Sequence, residues 1–180
     1  HKEIVLPALR GVMGDWVFYS CLMDVGELSS RVNYAEEIHK NEALSDMIQR
    51  HLKRGRAAQI ADYLKRQPER FFNSLVIATY GGQPNWHALS DVRSKTAPDD
   101  LKNLTEDTVS SVGFLTFTGQ EKLFALDGQH RLAGIKKAVK DGLDNDPYDE
   151  LSVIFVGHKE TKKGLERTRR LFTTLNKTAR

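Results

Sequence analysis

The chain contains one cysteine, Cys21, in 180 residues. No disulfide can form within it and no cysteine-based zinc cluster can be assembled. A lone thiol suits a reducing compartment, so a cytoplasmic protein is expected. No apolar run approaches the roughly 20 residues that span a bilayer, and no signal peptide opens the chain, so no membrane partner is expected. A Gly-x-x-x-x-Gly-Lys-Ser/Thr phosphate loop is absent, which excludes P-loop chemistry. Internal repeats, low-complexity tracts and a convincing linker are absent too. The first residue is His1 rather than Met, and we read the chain as one domain, residues 1–180, from a longer protein.

What remains is ordinary globular material: 39% hydrophobic and 28% charged residues, with a mean hydropathy of -0.48. That is enough apolar side chain for one real core. The net charge of +3 is unevenly spread. Between Arg50 and Arg70 there are seven basic residues (Arg50, Lys53, Arg54, Arg56, Lys65, Arg66 and Arg70) against Asp62 and Glu69. From Lys159 to Arg180 there are eight against Glu160 and Glu166, which leaves the rest of the chain at −8. Two basic segments on an acidic body suit phosphate contacts with double-stranded DNA, through Arg50, Lys53, Arg54, Arg56, Lys162, Lys163, Arg167 and Arg170. Two solvated helix faces would have the same composition.

Local patterning predicts mixed α/β structure. Ile4 to Met23 reads as strand, turn and strand, and Glu27 to Val32 as a short helix. Asn33 is the predicted N-cap of a helix running to Leu52, with Glu36 and Glu37 at its start and Arg50 and Lys53 at its end. Gly55 breaks that pattern. Ala57, Ile60, Ala61 and Leu64 then mark an amphipathic helix from Arg56 to Gln67, stopped by Pro68. The two helices around Gly55 could imitate a helix-turn-helix, but generic helix-hairpin packing is the better account of them. Leu75 to Ala78 reads as a buried strand before Gly81-Gly82, and Pro84 to Asp107 as a long surface excursion. Val109 to Phe117 and Lys122 to Leu126 read as two strands joined in a hairpin at Thr118-Gly119-Gln120. Gln129 to Lys140 reads as a helix ended by Gly142, Leu151 to Val156 as a strand, and Lys162 to Leu175 as a basic helix.

Chemistry concentrates where the strand ending at Leu126 turns through Asp127-Gly128 into the helix beginning at Gln129. The first amides of a helix lack intrahelical partners and attract anions. Gly128 lets the backbone approach a ligand. Arg131 offers a planar fork suited to phosphate, and His130 a group that titrates near neutral pH. Asp127 can cap the helix or receive a proton. His130 lies about 200° from Leu132 around the axis, so it points away from the apolar stripe of Leu132, Ile135 and Val139. A plain N-cap, a salt-bridged arginine and an exposed histidine would use the same residues.

Asp127-Gly128-Gln129-His130-Arg131 resembles the signature of the DGQHR-domain, DndB-like family, which is associated with bacterial DNA-modification loci. Leu6-Pro-Ala-Leu-Arg-Gly11, the Arg56 and Ile60-Ala-Asp-Tyr-Leu64 helix, and Phe172 with Asn176-Lys-Thr-Ala-Arg180 resemble the family as well. The similarity covers nearly the whole chain. The same turn resembles the ParB/sulfiredoxin superfamily: Gly128, Arg131 and Gly134 stand where ParB-like proteins carry Gly-x-x-Arg-x-x-Ala. The resemblance implies a ParB/sulfiredoxin-like domain with additional helices. It also implies binding of a nucleoside triphosphate, ATP above others, with Mg2+ as a companion ion. Gly128, Gln129, His130 and Arg131 would cradle the phosphates, with Asn176 and Lys177 as further contacts, and Asp127 and His130 would orient water. Sulfiredoxin's catalytic cysteine is replaced by Gln129, which cannot act as a sulfur nucleophile.

Two functions follow. One is nucleotide binding, with hydrolysis in its enzymatic form. The other is DNA-binding regulation, as DndB-type proteins imply, alongside the modification proteins of the same system and as an oligomer. A DNA-binding repressor without nucleotide chemistry is the alternative, and a ParB-like nuclease a weaker one, since no carboxylate cluster for metal catalysis is visible.

Overall fold

A computed structural model describes residues 1–35, 46, 50, 55–89, 105–142, 149–157 and 162–178. Eight strands and five helices are described, in the order β1 (Ile4–Met13), β2 (Trp16–Asp24), α1 (Val25–Arg31), β3 (Val32–Asn33), α2 (Arg56–Arg66), β4 (Leu75–Tyr80), β5 (Asn85–Ala88), α3 (Glu106–Ser110), β6 (Val112–Phe117), β7 (Lys122–Asp127), α4 (Gln129–Lys140), β8 (Glu150–Gly157) and α5 (Lys162–Thr178). The α/β expectation holds.

All eight strands form one sheet in the order β3-β7-β4-β8-β2-β1-β6-β5. The β3–β7 and β4–β8 pairs are parallel and the others antiparallel. The sheet must curl. β4 and β5 stand five strand spacings apart, about 24 Å in a flat sheet at ~4.8 Å per strand. The chain from Tyr80 to Asn85 can reach only about 18 Å when fully extended. The same limit governs the step from β6 to β7. Phe117 on β6 and Phe155 on β8, three positions apart in the sheet, accordingly touch with ring centroids 4.9 Å apart.

This curl overturns the hairpin expected at Thr118-Gly119-Gln120. β6 pairs with β1 and β5, and β7 with β3 and β4. The Glu121 carboxylate organises the crossing instead. It accepts the Thr118 and Gly119 amides (3.2 and 3.0 Å), the Thr118 hydroxyl (2.9 Å) and the Gln83 amide (2.8 Å). One side chain therefore ties both crossovers together.

The face inside the curl carries the main core. Leu6, Cys21, Met23, Leu75, Ile77, Leu115, Phe117, Leu123, Ala125, Val153 and Phe155 pack there with Leu28 of α1, Ala61 and Leu64 of α2, and Leu132, Ile135 and Ala138 of α4. α5 covers part of the opposite face, where Phe172, with Leu171 and Leu175, meets Phe124, Leu126, Ala78 and Val156. The same outer face bears exposed Val5, Leu9, Leu22, Val112 and Phe114 on β1, β2 and β6.

Other expectations need local correction. Asn33 does not cap a helix. It pairs in β3 with Phe124, and the expected helix to Leu52 falls almost wholly outside the described residues. Asp24 is the cap nearby, accepting the Glu27 amide at 2.7 Å to start α1. Part of the supposed excursion from Pro84 is β5, paired with β6. Residues 106–110 form a short helix capped by Thr105, so the strand predicted from Val109 begins at Val112.

Candidate functional site

β7 and α4 meet at Gly128, whose φ of 99° is left-handed. A Cβ there would also stand 2.7 Å from Leu75 Cγ, so backbone conformation and space both favour glycine. Gly128 is the N-cap, with no side-chain cap hydrogen bond. Asp127, expected as the cap, instead places Oδ2 3.5 Å from Arg131 Nη2.

α2 begins in the same way. Its N-cap is Gly55, with φ 76° and no side-chain cap hydrogen bond, and neither helix has an acid in its first turn. The two helices run parallel. The Arg56 charge acts on His130, Ile60 lies against Gly134, where a Cβ would stand 2.2 Å from Ile60 Cγ2, and Lys65 meets Asp141 at 3.5 Å. These contacts advance in step along both helices, so their N-termini are neighbours. Two positive helix ends, Arg56, His130 and Arg131 therefore converge in one place, an arrangement that favours a bound oxyanion.

His130 shows the electrostatic consequence. Its side chain reaches the surface, yet partial enclosure of the ring lowers its pKa below the usual histidine range, and the Arg56 and Arg131 cations lower it further. A negative ligand would reverse the second effect. Arg131 is also a strut: Nη1 donates to the Asn73 and Ser74 carbonyls at 2.6 and 3.2 Å, fixing the segment before β4 against the start of α4.

Gln129 turns inward. Its side chain is buried, Nε2 donates to the Ala125 carbonyl, and Oε1 has no hydrogen-bond partner. Ala125 flanks an irregularity in β4–β7 pairing, where Val76 opposes Asp127 and Ile77 opposes Ala125. Any contact of Gln129 with an anion at this turn therefore falls to its main-chain amide. Cys21 lies in the core, where burial pushes its thiol pKa up to about 12, and a thiol so protonated is not a nucleophile.

The expected DNA contacts are dispersed. Arg56 stands at the start of α2, where its charge acts on His130. Arg50 is exposed, its Nε 3.4 Å from the Asp46 carbonyl, and Lys53 and Arg54 lie outside the described residues. Lys163 and Arg170 are exposed on α5. Arg167 lies over the Trp16 ring at 3.7 Å and donates to the Asp15 carbonyl, anchoring α5 to the β1–β2 turn. The side chains of Lys162, Asn176 and Lys177 are outside the described set, although their helix is not. α5 packs on the face of β7 opposite to α2 and α4. The sequence context of Arg56 suggested DNA, and the parallel packing of α2 on α4 also brings it to His130, a neighbour that no local pattern indicates.

Among the described residues no three His, Cys, Asp or Glu side chains gather as a metal site, and no described helix is long and apolar enough to cross a membrane. A family model described as DndB, DNA-sulfur modification-associated, matches residues 6–180. Comparison with curated proteins and with solved structures gives no match.

Proposed function

Because the chain belongs to the DndB family of DNA-sulfur modification-associated proteins, we propose that it serves such a system as a nucleotide-responsive, DNA-binding regulator. In this reading the paired N-termini of α2 and α4 hold the phosphates of a nucleoside triphosphate, ATP foremost. The observation that carries the proposal is the convergence of two glycine-capped helix starts with Arg56, His130 and Arg131. Amides of Gln129, His130 and Arg131 would face the phosphates, and Arg56 would supply the charge least committed to the fold. The ParB/sulfiredoxin-like likeness of the turn belongs to the same proposal.

Mg2+ would enter on the nucleotide's own phosphates, since among the described residues Asp127 is the one carboxylate at the turn and it lies beside Arg131. Asp127 and His130 are the groups placed to orient a water toward a terminal phosphate. The geometry favours binding over hydrolysis, because the carboxylate is already engaged. Asn176 and Lys177 would have to reach the site from the other layer of the sheet.

Titration calorimetry with ATP and with inorganic tripolyphosphate tests this. Both should bind the wild-type protein, and Arg56→Ala should weaken both about tenfold or more, the usual worth of a charge-assisted contact. A wild-type protein that binds neither compound overturns the proposal.

A further inference from the structure

Phe71 is 83% exposed, the most exposed large hydrophobic residue described, yet its backbone is held firmly. The Tyr63 hydroxyl accepts the Phe71 amide at 2.9 Å and donates to the Phe71 carbonyl at 3.4 Å. On one side, Arg70 grips Asp149 with a two-pronged pair (2.6 and 2.9 Å) and donates to the Gln67 carbonyl at 3.0 Å. On the other, Phe72 packs on the Tyr63 ring, centroids 5.7 Å apart, and the Ser74 hydroxyl reaches that of Ser152 at 2.8 Å. Of two adjacent phenylalanines, one anchors the segment and the other is presented to solvent on a fixed support.

That support adjoins the cationic site. Arg131 binds the Asn73 and Ser74 carbonyls, and two residues of chain span at most about 7 Å between Phe71 and Asn73. Tyr63 lies seven residues after Arg56, on the same stripe of α2. An exposed aromatic ring on a fixed backbone beside converging positive charge is how proteins hold a base and its phosphate together. The backbone that carries the ring is already held, so only the ring's own rotation would have to be ordered when a base stacks on it.

We propose that Phe71 is a stacking platform for a nucleobase whose phosphate occupies the Arg56–His130–Arg131 site. The inference rests on the phosphate-binding reading above and adds to it a residue that distinguishes a nucleotide from bare phosphate. It is also separable from that reading, because inorganic tripolyphosphate carries no base.

The experiment compares wild type, Phe71→Ala and Phe71→Trp against ATP and tripolyphosphate. An exposed side chain can be truncated without loss of fold, which circular dichroism verifies. Phe71→Ala should lose about five- to hundredfold in ATP affinity, the usual range for one stacked base, and keep wild-type affinity for tripolyphosphate. Phe71→Trp should keep ATP affinity and show fluorescence quenching by ATP, above the background of Trp16 and Trp86, with none by tripolyphosphate. A 5′-phosphorylated oligonucleotide run in parallel shows whether the base belongs to a free nucleotide or to a DNA strand. Equal ATP affinity in wild type and Phe71→Ala overturns the role of Phe71 while leaving phosphate binding intact. Failure of the wild type to bind any of the three ligands overturns both.

Discussion

His130 couples the site to pH. In the free protein its proton is disfavoured by ring enclosure and by Arg56 and Arg131, so the folded state binds fewer protons at this position than the unfolded chain. Stability from this group is therefore full above the ordinary histidine range and falls as pH drops through it. An anion between the two helix ends changes the sign of the local field and favours the imidazolium. Two results should follow in NMR titrations of the imidazole resonances. The His130 midpoint should lie below that of an unstructured histidine in the free protein, and it should rise when tripolyphosphate is added. Ligand affinity should increase correspondingly toward acid pH, and a midpoint indifferent to the ligand would place the phosphate elsewhere.

Gln129 and Arg131 show how a short motif divides its labour. Gln129 is spent on the Ala125 carbonyl beside the strand irregularity, and Arg131 ties down the segment that presents Phe71. Much of the turn's conspicuous chemistry is thus architectural. In the proposed binding mode a phosphate would meet main-chain amides, His130 and Arg56, with Arg131 beside them as both charge and strut. Replacing Arg131 should consequently disturb both phosphate affinity and the order of residues 71–74, whereas replacing Arg56 should affect affinity alone.

At the scale of elements, the site depends on how closely α2 lies against α4. Gly134 permits that approach, since a methyl group there would collide with Ile60. Gly134→Ala should raise intrinsic helix propensity by roughly 1 kcal/mol and still destabilise the protein, by about 1–3 kcal/mol from overpacking. Because separating the helices also moves Arg56 away from His130, phosphate affinity should fall in the same variant. Chemical denaturation together with calorimetry checks both effects. A stabilised variant of normal affinity would show that the contact is slack.

Elements defined by near neighbours were readable from the chain. The β1–β2 hairpin, α2 with its Ala57, Ala61 and Leu64 face, and the passage from β7 into α4 all emerge from short-range periodicity and glycine position. Pairings set by the curl were not. Thr118-Gly119-Gln120 has good hairpin chemistry, but Glu121 uses that chemistry to fasten a crossover, and no local pattern distinguishes the two outcomes. Arg56 follows the same rule: its neighbours in sequence are basic, while packing brings it to His130, on a helix more than seventy residues away. Phe71 carried no periodic signal at all, since its exposure reflects clamps made by Tyr63, Arg70 and Arg131.

For the whole molecule, the decisive fact is that α2 and α5, the described helices of the two basic segments, lie in different layers. α2 brings Arg56 to the inner-face helices, and α5 displays Lys163 and Arg170 on the outer face, across the sheet. Phosphate binding at the α2–α4 site and DNA binding along α5, if both occur as proposed, would therefore be lost independently. If α5 contacts the duplex, each exposed cation neutralises about one phosphate and contributes about 0.9 to the slope of log affinity against log salt. The double variant Lys163→Gln/Arg170→Gln should flatten that slope by about 1.8, weaken duplexes of any sequence alike and leave tripolyphosphate affinity unchanged. Arg167 is a poor choice for this test, because removing it frees α5 from Trp16 and Asp15 and confounds docking with charge. Arg56→Ala should give the converse pattern, with phosphate binding impaired and the salt slope on DNA preserved. A slope unchanged in the α5 variant would remove this helix from the DNA interface and leave its charge as a solvated surface.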